Sequence, residues 1–447
     1  MNTEFFTLPD LISAFLWLII IIVIGFVIRS SNDDKPHYKY FMQNLYAKLI
    51  FSLGFAIIYI FIYGGGDTTA YFDGAMSLNN LFLKSPSLYF EELTSTPSRE
   101  NFRAFYDQST GFPPGWIYRE PESFFTCKLI SLFSFLSFKS YFALTFIMAF
   151  ISTMVSWRLF ELIRSFNFHK DRTLVFAILL LPSLNFWCSG ISKDTITFLA
   201  LAILIINSFK ILIYKEVSVG IVLKLLLAGF VIYHSRSFLL IVILIAFVFV
   251  ITTRIVQYFG GGSLLTSITR SLVVIVSIAI LGGNIINQTE AELLESSELI
   301  QKASTTEKDF KSNESYGKNK YDIGEIEFSP VGLVRAAPNS MIAGIYRPFI
   351  WESFSPKLII NGIESIVLFY LTLLFVFKSP VAKYRYIRNN QFLIFCLILV
   401  LTMAFITGLT SVIFGVLVRL RAPLIPFFII LLTIQPKFEK TKDKEIS

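Results

Sequence analysis

Eleven apolar runs, at 11–28, 48–64, 141–163, 174–188, 191–213, 220–233, 237–253, 271–287, 357–377, 391–408 and 422–435, limit what this chain can fold into more than any other feature. A helix needs about 20 apolar residues to cross a hydrocarbon core, with some tolerance for shorter ones. Inside that core every backbone N–H and C=O must be satisfied by protein, and a helix does so within its own segment. The runs therefore predict an all-α polytopic membrane protein of about 11 transmembrane helices, within a range of about 10–13. All 447 residues form a single transmembrane domain in this reading.

Composition removes the main competitors. The chain is 54% hydrophobic and 16% charged, with a mean hydropathy of +0.66, too apolar for a soluble globular domain. A net charge of +8 would point to nucleic acid in a soluble protein, but here Lys and Arg gather in short segments between apolar runs, so they report topology and no nucleic-acid partner is expected. Cys127, Cys188 and Cys396 lie far apart, without metal or haem spacing, and read as apolar fillers. The acidic stretch before the first run lacks a positive n-region, so that run is expected to be a permanent anchor and not a cleaved signal.

Basic residues orient the spans. Arg29, Lys35, Lys39 and Lys48 flank one turn, Arg158, Arg164, Lys170 and Arg172 another, and Lys378, Lys383, Arg385 and Arg388 a third; Lys437, Lys440, Lys442 and Lys444 form the tail. Placing these inside, with Lys210, Lys215, Arg254 and Arg270, predicts an N-terminus outside and a cytoplasmic C-terminus, in the inner (cytoplasmic) membrane. The apolar stretch 124–138 reads as an interfacial or re-entrant helix, because a full crossing there would invert every later loop; a twelve-span count is the alternative. Two long extracytoplasmic loops follow, 64–123 and 288–356, the second opening with an acidic stretch at 289–303.

Candidate chemistry gathers on the outer side. In GGGDTTAYFDGA, residues 64–75, three glycines let the chain turn sharply and present Asp67, Tyr71 and Asp73; Asp67 and Tyr71 share a face if the segment is helical. A carboxylate there serves as a general base or holds a divalent cation, while the plainer reading makes Asp67 a helix N-cap. Lys193 and Asp194 follow Ser189-Gly190 at another outward turn, where capping is again the plain alternative. His234 and Arg236 lie between two runs. Arg347 and Glu352 precede the run at 357–377, and Arg419 and Arg421 the last one. Outward arginines run against the positive-inside bias, and guanidinium groups match phosphate oxygens; the plain alternative is head-group anchoring.

The succession GDTTAYFDGA, SLFSFLSFKSYFALTFIMAFIS, LPSLNFWCSGISKD, YRPFIWE and LVRLRAP resembles polytopic membrane glycosyltransferases of the C superfamily, including bacterial surface-polysaccharide types. That resemblance implies a polyprenyl-phosphate-linked sugar donor, Asp67 in the first external loop near the acceptor with Asp73 as a second candidate, and no certain cofactor. This chain lacks the common Asp-Glu or Glu-Asp pair and carries an extra span before the motif loop. The G-D-x-x-x-Y pattern with late outward arginines is also similar to polysaccharide polymerases and O-antigen ligases, which implies a lipid-pyrophosphate-linked glycan. From another class come a transporter or flippase of lipid-linked or anionic solutes, and a non-catalytic scaffold. The expected partners are the lipid-linked saccharide and membrane lipids.

Overall fold

The computed structural model describes residues 5, 7–258, 320, 321, 324, 330–353, 356–411 and 413–435. The expected span 271–287, the acidic stretch 289–303 and the tail lysines lie outside the described residues, as do parts of the second loop. Seven helices are long and apolar enough to cross a membrane, or eight if one bent pair counts as a span, among the described residues. These make a multi-pass membrane protein.

Helix α1 (Leu8–Ser30) and α2 (Lys39–Ile57, continuing as a π-helical turn to Ile62) form an up-and-down pair. Asp67 therefore lies at the same face as the start of α1. Beyond it, the expected polar loop is itself helical: α3 (Asp67–Lys84), α4 (Pro86–Thr94), α5 (Arg99–Phe105), α6 (Gly115–Tyr118) and α7 (Pro121–Ser134). Glu92 ties this layer together, accepting from the Tyr106 hydroxyl at 3.2 Å and from Ser95, whose carbonyl takes Lys128 Nζ at 2.7 Å. Burial raises the Glu92 carboxyl and lowers the Lys128 amine from their ordinary values. At 14 residues, α7 is about 21 Å long, short of a crossing. Phe138 and Lys139, both with positive φ, then reverse the chain.

Helix α8 (Tyr141–Ser165) starts beside α1, with Ser140 Oγ donating to the Asp10 carbonyl at 2.8 Å. The expected span at 174–188 is broken: α9 (Asp171–Leu174) runs into a π-helical turn that stops at Leu180, and α10 (Pro182–Trp187) begins anew. Pro182 explains the break, because it lacks the N–H that would continue the helix. Helix α11 (Lys193–Phe209, with a π-helical turn to Tyr214) returns to the opposite face, where the Tyr214 and Ser165 hydroxyls bond at 2.7 Å.

Helix α12 (Val219–Tyr258) is two limbs joined at Arg236, whose φ of −154° and ψ of 78° are not helical. The first limb starts five residues after Tyr214 yet ends with Ser235 3.5 Å from Thr197, near the start of α11. The second runs beside α11 in the same direction, from Arg236 on Asp194 to Arg254 on the Leu212 carbonyl. A segment long enough to pass as one span thus turns back on itself.

Helices α13 (Pro330–Tyr346), α14 (Pro356–Phe377), α15 (Pro380–Arg388) and α16 (Gln391–Thr410) follow. The antiparallel pair α13 and α16 is in backbone contact: a Cβ on Gly408 would stand 1.8 Å from the Ser340 oxygen, and one on Gly344 2.1 Å from that of Ala404. Small residues permit such approach where lipid supplies no hydrophobic drive between helices. Last come α17 (Phe414–Arg421) and α18 (Ile425–Leu432), bent by 65°. Lys48, expected on the inner flank, is instead fully buried in mid-α2 over the Phe198 ring; its residue type matched the basic pattern, but its position along the helix places it in the bundle.

The α12 turn predicts that cysteines at Val217 and Tyr233, both exposed, react with impermeant maleimide from opposite sides of the membrane; labelling from one side contradicts it. All three natural cysteines are buried, so background is low. A second prediction concerns His169, in the turn after α8, whose Nε2 donates to the Ile430 carbonyl at 2.8 Å. Burial pushes its imidazole down to about 4 from the ordinary 6.5, against the opposing pull of that hydrogen bond. The unfolded chain therefore protonates first, so His169's contribution is complete above about pH 6.5 and is lost as pH falls toward 4. Replacing His169 with Gln should flatten the fall in thermal midpoint over that window, an effect on the order of 1–3 kcal/mol.

Candidate functional site: a carboxylate–guanidinium chain

Four ionised side chains from four helices meet on the Asp67 face of the bundle. Gly64, Gly65 and Gly66 all have positive φ, from 68° to 141°, a conformation open to glycine and strained for other residues. Gly65 N–H donates to the Tyr59 carbonyl at 2.9 Å, and the Tyr59 ring covers Gly66 so closely that a Cβ there would be 3.1 Å from it. Gly66 is the N-cap and Asp67 the first residue of α3, where the helix dipole favours an anion. Its carboxylate is thus free of capping, and Oδ2 accepts from Arg419 at 2.7 Å.

Capping of α11 falls to Ser192, whose Oγ accepts from the Thr195 N–H at 3.0 Å. Asp194 is released to accept from Arg419 Nε at 2.9 Å on Oδ2 and from Arg236 on Oδ1. Arg236 sits at the α12 turn, and Trp187 of α10 lies 5.6 Å from the Arg419 guanidinium, ring centroid to Cζ. Asp194, inside the chain, is 2% exposed; from it exposure rises to 14% at the Arg236 end and, in the other direction, through 21% at Arg419 to 35% at Asp67. The open end is therefore the carboxylate. Asp194, Arg236 and Arg419, together with Leu201, Leu239, Met403 and Leu424, line a narrow crevice with room for about one water.

Other sequence candidates stand apart from this chain. Lys193 points away from its neighbour Asp194, to Glu122 at 2.8 Å and Glu120 at 4.0 Å, and so ties α11 to α7. Arg421, only 3% exposed, donates through Nη1 and Nη2 to the carbonyls of Ile345, Arg347 and Asn361 and to the Ser365 hydroxyl; it is a strut that fixes α17 and is not bonded to the Asp67 group. Arg347 lies over Tyr321 and pairs with Glu352 at 3.6 Å. His234, two residues before Arg236, packs on Phe125 and Phe230 and is hydrogen-bonded to the Phe230 carbonyl of its own helix. Tyr71 shares the Asp67 face but is 2% exposed; burial raises its phenol well above the ordinary value. Asp73 is exposed, on another side of α3. No group of His, Cys, Asp and Glu that could hold a metal ion occurs among the described residues.

Sequence reasoning missed Tyr59, Trp187 and the Glu122 partner of Lys193. Glu364 was also missed, although a lone acid inside the run 357–377 was a readable signal. It is 8% exposed and accepts from Ser183 Oγ at 2.8 Å.

Removing one partner from a buried ionic pair strands the other charge, a loss of about 3–5 kcal/mol, whereas a half-open pair contributes about 1 kcal/mol. Asp194→Ala should therefore lower the thermal midpoint of the detergent-solubilised protein far more than Asp67→Ala. Equal losses would contradict the burial gradient. No family model, curated protein or solved structure matches this chain.

Proposed function

We propose that the chain is a membrane glycosyltransferase that moves a sugar from a polyprenyl-phosphate-linked donor to an acceptor on the extracytoplasmic face of the inner membrane, in surface polysaccharide or glycoconjugate synthesis. One observation carries the reading: Arg419 is shared between a buried carboxylate, Asp194, and a half-open one, Asp67. A donor phosphate arriving beside Arg236 and Arg419 competes with Asp67 for the shared guanidinium. Asp194, held on both oxygens, keeps the two arginines in place. Asp67, so released, accepts the proton of the acceptor hydroxyl as that oxygen bonds to the anomeric carbon. The carbon–oxygen bond to phosphate breaks, its electron pair stays on the phosphate, and polyprenyl phosphate leaves with its charge against the guanidiniums. Inversion at the anomeric carbon follows from attack opposite the leaving group.

Two features favour a second reading, a transporter or flippase: Glu364 and Lys48 are ionisable, buried within spans and outside the carboxylate–guanidinium chain. Such groups inside a membrane mark solute or proton pathways as well as structural pairs. Polymerase or ligase chemistry would use the same guanidiniums on a pyrophosphate and move a whole glycan.

Protein in nanodiscs, supplied with polyprenyl-phosphate-linked hexoses and an acceptor glycan, should release polyprenyl phosphate detectable by mass spectrometry. Asp67→Asn should lower turnover by about 10²-fold or more, the typical worth of a positioned base. Full turnover in that variant overturns the proposal. Leaflet exchange of a labelled lipid-linked sugar without turnover, abolished by Glu364→Gln, would establish the flippase instead.

A further inference from the structure

A run of aromatic rings borders the carboxylate–guanidinium chain and is not used by the proposed phosphate chemistry. Phe55 and Tyr59 of α2 are 4.6 Å apart between ring centroids, and Tyr59 and Tyr63 5.1 Å. Phe55 also contacts Phe186 at 5.3 Å and Trp187 at 6.0 Å, and those two lie 5.0 Å apart. Phe55 is 2% exposed and seals the base; Gly190 packs so tightly on it that a Cβ there would be 2.8 Å from the ring. Tyr59 and Trp187 are half-buried, and Tyr63 is 40% exposed. The wall therefore has a rigid buried foot and a partly open upper edge.

Its location separates it from an ordinary aromatic belt. Belt residues sit on the lipid-facing perimeter. Here Trp187 lies against the guanidinium that bonds Asp67, and Tyr59 covers the glycine preceding Asp67. Rings and reacting carboxylate are thus fixed to one another through Arg419 and the Gly64–Gly66 turn. The rings meet one another tilted or edge-to-face, at 42° to 90°, and bring apolar aromatic surface beside hydroxyl, carboxylate and guanidinium groups. A pyranose ring has the complementary surface, with axial C–H groups on one face and hydroxyls around its edge.

We infer that Tyr59, Tyr63 and Trp187 form a saccharide subsite that seats a pyranose ring beside Asp67. This rests on the glycosyl-transfer reading and deepens it. The rings hold the sugar by stacking, which tolerates several hexoses, and edge hydrogen bonds select among them. Trp187 acts on both parts of the site, because the same indole that stacks on the sugar lies against Arg419.

The subsite can be tested without catalysis. Methyl α-glucoside, methyl α-mannoside and methyl N-acetyl-β-glucosaminide are offered to the full-length protein in nanodiscs, and saturation-transfer difference NMR reads which sugar protons approach protein. At least one glycoside should show transfer concentrated on the C–H protons of a single ring face. Tyr63→Ala combined with Trp187→Leu should weaken that binding by about fivefold or more, in line with the worth of aromatic contacts beyond simple burial. Should the double variant fail to assemble, Tyr63→Ala alone, at the exposed edge, must still reduce the signal. Absence of transfer to all three glycosides, or transfer indifferent to these substitutions, overturns the subsite. Binding that persists in Asp67→Asn alongside undiminished turnover would leave the subsite standing and remove the catalytic reading.

Discussion

The arrangement of the Asp67 face depends on one guanidinium that serves two carboxylates. Arg419 donates to Asp194 through Nε and to Asp67 through Nη1, so a single side chain joins α11 to the start of α3 from the far end of the sequence. An isolated charge in this setting is costly to keep, and a pair repays the loss only when its geometry satisfies both partners. Asp67, Asp194, Arg236 and Arg419 close that account at zero net charge. Because the planar guanidinium has donors in fixed directions, it can bridge two acids where a lysine ammonium, a point charge, would not hold the same geometry.

Every member of the chain sits at an interruption of regular helix. Asp67 follows the three-glycine turn, Asp194 follows the break between α10 and α11, Arg236 occupies the α12 turn, and Arg419 is in the short α17 before the 65° bend. Irregular backbone at membrane depth survives only where protein or a polar cavity satisfies it. Breaks and charges support each other: an interruption frees polar groups that ionised side chains can meet, and the ionised chains cross-link segments that regular helix no longer holds. Arg421 shows the structural half of this relation, since its donors go to three backbone carbonyls around the α13–α14 connection.

The helical class and several of the long apolar helices were legible because they follow from hydropathy. Less legible were features that depend on how a run is divided. The run at 174–188 is largely apolar, yet Pro182 splits it. Segment 64–123 has the polarity of a loop, but α3 buries one side, including Tyr71 and Leu78, so it folds as helices. Lys48 and Lys193 show the limit for single charges: one is buried in mid-helix and the other turns from its adjacent Asp194 to Glu122, which no spacing rule foretells.

Sequence by itself determined that the chain lies in a membrane as helices and which ionisable residues stand near the ends of its apolar runs, because solvation free energy depends on local composition. Tertiary structure alone decided that Asp67, Asp194, Arg236 and Arg419 share one site while Arg421, two residues from Arg419, does not. The reason is directional. Adjacent helical side chains point about 100° apart, so partnership is set by the helix each one faces, and that neighbour is fixed by packing far along the chain.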